Sequence, residues 1–128
     1  IKPNIHELEE IFDTKIDCID STIFYATKLK DMGAENVLIS MGKDGALLVT
    51  ENDEVFASSV AKGEVVNSVG AGDSMVAGFM AGYLARHDYN HAFCMGVASG
   101  SASAFSENLA TKEEIEKVYK TIVLEEKV

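Results

Sequence analysis

The sequence contains one proline, one arginine, two cysteines and no tryptophan. Eleven lysines and arginines face 21 aspartates and glutamates, a formal net charge of −10. Nucleic-acid binding depends on cations that neutralise phosphates. A chain whose sole arginine is Arg86 does not offer them, so no nucleic-acid partner is expected. A small anion held by backbone N–H groups stays open, because it needs no net positive charge. Cys18 and Cys94 are isolated and lack CxxC spacing, which points away from zinc and from a disulfide framework and toward a reducing, cytoplasmic setting. No apolar run approaches membrane-spanning length, and no membrane partner is expected. The first residues do not form a secretory signal, and the absence of an initial methionine suggests that a segment has been removed upstream. Two phosphate-binding patterns are also missing. GxxxxGK[ST] does not occur, and Met75 stands where a dinucleotide fingerprint wants its third glycine.

What remains is an ordinary globular composition, 47% apolar and 25% charged. Length and composition allow one domain with a real core. Asn4 to Phe12 predicts a helix with Ile5, Leu8, Ile11 and Phe12 on one side. Asp20 is expected to cap a second helix that runs to Met32 and stops at Gly33. Strands are expected at Asn36–Ser40, Ala46–Thr50 and Glu54–Ser59, with a shorter candidate at Glu64–Val66. The next two helices are rich in small residues. The first runs from Asp73 to about Arg86, and its near-absence of charge predicts burial on most sides. The second is expected to be capped by Asn90 and to reach Phe105. Thr111 and Glu114 have the spacing of a capping box that opens a last helix. This order suggests an α/β layered domain. Met32, Met41, Met75, Met80 and Met95 read as core fillers. His6, His87 and His91 lack metal-ligand partners at useful spacing and read as surface or capping residues.

The chemistry concentrates at Gly70-Ala71-Gly72-Asp73, between a strand candidate and a helix. The glycines free the backbone and leave room for a ligand. The first-turn N–H groups then point outward at the positive end of the helix dipole, where a phosphoryl group binds well. A carboxylate there can accept the proton of an attacking hydroxyl. The helix end favours a carboxylate, so Asp73 is assigned to orienting the hydroxyl and taking its proton late. On local grounds alone, a glycine-rich turn before a helix capped by Asp73, with no ligand, reads equally well.

The run Asn67-Ser68-Val69-Gly70-Ala71-Gly72-Asp73-Ser74-Met75-Val76-Ala77-Gly78-Phe79 resembles the C-terminal signature of ribokinase-like, PfkB-type sugar kinases. That resemblance implies Asp73 as catalytic residue and Gly70, Ala71 and Gly72 as the phosphate-binding hole. Ile1-Lys2-Pro3-Asn4-Ile5-His6-Glu7-Leu8 is similar to the family's KPNxxEL segment. By resemblance Asn4 and Glu7 serve the magnesium and phosphate environment, and Lys2 reaches toward nucleotide phosphates. From the residues alone, Asn4 and Glu7 have capping-box spacing, which can coexist with that role, and Lys2 is a solvated lysine. Ser40-Met41-Gly42-Lys43-Asp44-Gly45 resembles the family's nucleotide-binding turn, and by itself reads as a hairpin turn. Ala98 to Phe105 resembles the helix on the adenine side, although close packing by small residues accounts for most of those positions.

The resemblance implies a ribokinase-like layered sheet flanked by helices, present here only as its C-terminal portion, with residues 1–128 as one nucleotide-binding and catalytic unit. The sugar-binding N-terminal portion and the lid are absent. The implied cofactors are ATP and Mg2+. The implied reaction is transfer of the ATP γ-phosphoryl group to the 6-hydroxyl of fructose 1-phosphate, with tagatose 6-phosphate as the alternative acceptor and a non-catalytic nucleotide-binding module as the other reading. Full length, the parent could form a homodimer. Alone, this chain is expected to have little or no kinase activity, because its pocket cannot close and exclude water.

Overall fold

The computed structural model describes residues 1–41, 45–58, 71–104, 111–122 and 124–127. The candidate strand at 64–66, the loop at 67–70 and the far end of the adenine-side segment lie outside them. The chain divides into two compact units: Ile1–Ala57 with Glu125–Val128, and Ser58–Leu124.

The first unit holds helices α1 (Ile5–Phe12) and α2 (Ile19–Asp31) and a sheet of β1 (Val37–Ser40), β2 (Ala46–Val49), β3 (Val55–Ser58) and β4 (Leu124–Lys127), in the order β1-β2-β3-β4. β1 and β2 run antiparallel, with Val37 opposite Val49 and Ser40 opposite Ala46. Both faces of β2 are buried, so it reads as an unbroken apolar run rather than an alternation. Leu8, Ala26 and Leu29 from the helices pack with Val37, Ile39, Leu47 and Val49 in one core. On the far side of β1 the opening residues of the chain run alongside it. Ile1 carbonyl accepts from the Leu38 N–H at 2.9 Å and Pro3 carbonyl from the Ser40 N–H at 3.2 Å, ending in a parallel bridge between Asn4 and Ser40.

One expectation is corrected here, and one strand was not foreseen. Cys18, not Asp20, is the N-cap of α2; its backbone takes the cap geometry although its side chain makes no cap bond, and Asp20 lies in the first turn. β4 is a strand at a segment whose sequence, Leu-Glu-Glu-Lys, gives no apolar alternation.

The second unit holds α3 (Ala71–Arg86), α4 (Tyr89–Ala104) and α5 (Lys112–Tyr119). α3 begins at Ala71, two residues before the expected start. α4 begins at Tyr89, and the Asp88 carboxylate, not Asn90, is the capping acceptor, taking the Asn90 N–H at 3.0 Å. The α5 capping box between Thr111 and Glu114 forms as expected. His91 on α4 pairs with the Tyr119 hydroxyl on α5 at 2.9 Å, so it ties two helices together rather than sitting on the surface. Burial holds this imidazole below the ordinary histidine range; Arg86 adds to that and Asp88 opposes it.

α4 is buried along its length, but α3 is not: Val76, Met80 and Leu84 are exposed. The expectation of burial on most sides fails because, among the described residues, only one face of α3 has a partner. Met80, and Met32 at the C-cap of α2, are likewise exposed rather than core fillers. The partnered face of α3 is defined by glycines. A Cβ on Gly78 would lie 2.7 Å from the Met95 carbonyl oxygen and clash with Ser99, and one on Gly96 would lie 3.0 Å from the Met75 carbonyl oxygen. The small-residue run of α4 is therefore a close-packing surface. Alanine in a helix interior is favoured over glycine by about 1 kcal/mol. Overpacking costs about 1–3 kcal/mol, and a backbone oxygen cannot rotate away. Gly78→Ala is accordingly expected to lower the urea midpoint; an unchanged or raised midpoint would contradict so close an approach of α3 to α4.

Candidate functional site

The residues singled out from the sequence fall into two groups, one in each unit. The first lies where β1 ends. Because residues 1–4 run parallel to β1, Asn4 arrives beside Ser40 at the strand's C-terminal end. In open α/β sheets ligands bind beyond such strand ends. There the chain turns straight into α1 through a complete capping box. Asn4 Oδ1 accepts from the Glu7 N–H at 2.8 Å, and Glu7 Oε1 accepts from the Asn4 N–H at 3.0 Å. Lys2 is half-buried within the paired segment, and Ser40 and Met41 are half-buried at the strand end. The Met41 N–H donates to the Gly45 carbonyl at 2.9 Å and closes the following turn. Gly45 has φ of 96°, a conformation that other residues adopt only with strain. Gly42, Lys43 and Asp44 lie outside the described residues.

The second group lies at the start of α3. Gly70 is outside the described residues; Ala71 and Gly72 open the helix and Asp73 sits in its first turn, exposed. N–H groups in a first turn have no partner within the helix and are free to meet an anion. Ser103 Oγ, on α4, donates to Ser74 Oγ at 3.0 Å and ties this turn down. That hydroxyl pair was not legible beforehand, because two serines 29 positions apart carry no local signal.

Comparison with known proteins decides the affiliation. The model of the pfkB family carbohydrate kinases matches residues 1–116. The chain belongs to this family. Among pfkB relatives, 1-phosphofructokinase from Bacillus subtilis is 51% identical over 118 residues, 92% of this chain and 39% of that protein. The 1-phosphofructokinase of Borreliella burgdorferi is 36% identical over 126 residues, 98% of this chain and 41% of that protein. A crystal structure from Staphylococcus aureus, provisionally described as a phosphofructokinase, superposes with TM-score 0.94 at 39% identity, over 99% of this chain and 41% of the other. The chain thus spans about two fifths of the length of the pfkB proteins it matches. These neighbours bear out the ribokinase-like α/β fold read from the sequence.

The residues fit a magnesium ion only in a supporting way. Among the described residues no three histidines, cysteines, aspartates or glutamates gather as a metal site. One carboxylate, Glu7, stands at the strand end with one of its oxygens engaged in the cap. Mg2+ keeps several waters and is commonly held by one or two carboxylates together with substrate phosphates, and such a donor set suffices for that.

Asn4 carries a structural duty whatever its other role. Asn4→Ala is expected to cost about 1 kcal/mol by orphaning the Glu7 N–H, whereas Asn4→Asp keeps an acceptor and most of that stability. Denaturation midpoints of the two variants check this; equal losses would contradict the cap.

Proposed function

We propose that this chain is the nucleotide-binding and proton-accepting portion of an ATP-dependent phosphosugar kinase, a single domain whose sugar-binding portion and lid lie outside residues 1–128. The reaction of the parent is phosphorylation of fructose 1-phosphate to fructose 1,6-bisphosphate. The observation that carries this reading is Asp73, exposed in the first turn of α3 behind Ala71 and Gly72, within a run that matches the family signature. The names of the relatives at 51% and 36% identity support the choice of substrate.

In this reading the sugar 6-hydroxyl attacks the γ-phosphorus of ATP. The new P–O bond forms as the bond to the ADP oxygen breaks, and the hydroxyl proton passes to Asp73 late in the transfer. Backbone N–H groups of Gly70, Ala71 and Gly72 meet the charge that spreads over the moving group, which is the largest contribution a protein makes to such a step. Lys2, Asn4, Ser40, Met41, Gly42, Lys43, Asp44, Gly45, Gly72 and Asp73 belong to the ATP side, and Glu7, together with Asn4, would serve indirectly to hold Mg2+, which would neutralise phosphate charge. Asp73 is matched to orientation and late proton transfer rather than to early deprotonation of a sugar alcohol.

A second substrate is supported by one relative. A protein named D-tagatose-1-phosphate kinase from Bacillus licheniformis is 38% identical over 118 residues. The ratio of kcat/KM for fructose 1-phosphate against tagatose phosphates decides between the two.

The test uses a chimera in which this chain replaces its counterpart in the Bacillus subtilis relative. Asp73→Asn is expected to lower kcat by about 10²–10⁴-fold, the usual contribution of a general base, while Mg·ATP affinity is retained. Unchanged turnover would remove Asp73 from the mechanism. The 128-residue chain alone is expected to show little or no turnover, and full activity from it would contradict the division of labour proposed here.

A further inference from the structure

Among the described residues nothing holds the Asp73 carboxylate itself. It is exposed in the first turn of α3 and takes no hydrogen bond from any of them. The direction in which it points is therefore set by the backbone of that turn. A first turn is the least secured part of a helix, because its leading N–H groups have no partner within it. This one is secured through the residue next to Asp73. Ser74 is half-buried, and its Oγ accepts from Ser103 Oγ at 3.0 Å. Ser103 is 5% exposed and stands at the penultimate position of α4. The glycine contacts between the same helices are of another kind. Gly82 lies against Ala92 and Met95, Gly78 against Met95 and Ser99, and Gly96 against Met75 and Phe79. Such contacts limit how close the helices come. A hydrogen bond has a preferred distance and direction, so it also fixes where one helix stands along the other.

We propose that Ser103 is a positioning residue for Asp73: through Ser74 it holds the first turn of α3 at the setting from which the carboxylate meets the sugar hydroxyl. The inference rests on the proposed role of Asp73 and adds to it a residue from another helix. Ser103 acts only through Ser74. Two arguments carry this. First, the helix gains nothing from a serine at position 103. Alanine would fill the same space, is the better helix former, and has no hydroxyl that burial obliges to find a partner. The hydroxyl is accounted for by the bond it makes, and that bond ends beside Asp73. Second, a group that takes a proton must stand within hydrogen-bond reach of it. A displacement of about 1 Å can cost on the order of 10²-fold in rate, and a loosened first turn is a displacement of that kind.

A double-mutant cycle in turnover tests this in the chimera with the Bacillus subtilis relative. Ser103→Ala adds no volume and favours the helix, so the fold should persist. It should lower kcat about tenfold and leave KM for Mg·ATP essentially unchanged. Ser74→Ala reaches the same bond from the other side and should lower kcat at least as much. In the Ser74→Ala background, Ser103→Ala should have no further effect on kcat. Unchanged kcat in Ser103→Ala, a raised KM in place of the kcat loss, or losses that multiply in the double variant would overturn the proposal. Asp73→Asn in the same chimera separates the two levels of the reading. Turnover lost in Asp73→Asn but kept in Ser103→Ala removes Ser103 alone, whereas turnover kept in Asp73→Asn removes both assignments. NMR order parameters of the isotopically labelled 128-residue chain give a reading that needs no turnover. In Ser103→Ala they should fall at Gly72, Asp73 and Ser74 and stay unchanged in α5. Unaltered order at the start of α3 would equally overturn the proposal.

Discussion

The pairing of the first residues with β1 is the constraint on which the arrangement of the first unit depends. Two main-chain hydrogen bonds, from Leu38 to Ile1 and from Ser40 to Pro3, hold the opening segment parallel to the strand. The segment can then leave the sheet only at the strand's C-terminal end, and it does so at Asn4. The capping box fixes the angle of departure and sends α1 back over the sheet, where Leu8 enters the core. A cap found in many helices thereby acquires a location suited to a ligand: the end of a strand, beside a glycine-closed turn.

The second unit obeys a different constraint, close approach. Gly78 and Gly96 let α3 and α4 pack backbone against backbone, and the Ser103–Ser74 bond fixes the first turn of α3 in register with the end of α4. Rigid support of this kind is what a functional side chain at a helix start requires, since small displacements of a catalytic group cost large factors in rate. The same packing leaves α3 with a second apolar face. The helix that carries Asp73 is thus also one with exposed apolar side chains, Val76, Met80 and Leu84.

Features set by short-range chemistry were legible in the sequence. Both capping boxes formed at the residues their spacing indicated, Asn4 with Glu7 and Thr111 with Glu114. A turn was expected at Ser40–Gly45, and Gly45 closes it in a left-handed conformation. The α2 start was misplaced because Cys18 caps through backbone geometry alone, and side-chain preference pointed to Asp20. The exposed face of α3 was not legible, since an uncharged helix reads as buried and only tertiary structure shows which faces have partners. The adjacency of Asn4 and Ser40, and of Ser74 and Ser103, depends on long-range contacts that no local pattern encodes. For the candidate site, the sequence supplied the residue types and the order of motifs; the strand-end location of Asn4 came only from the sheet.

An NMR titration of the isotopically labelled chain with Mg·ATP tests the central proposal, that residues at the start of α3 and at the cap of α1 each respond to nucleotide phosphate. The account predicts saturable amide shifts at Gly72, Asp73 and Ser74 and at Asn4 to Glu7, with α5 unaffected. A folded spectrum with no change at those residues into the millimolar range, or saturable shifts confined to other elements such as α2, would contradict it.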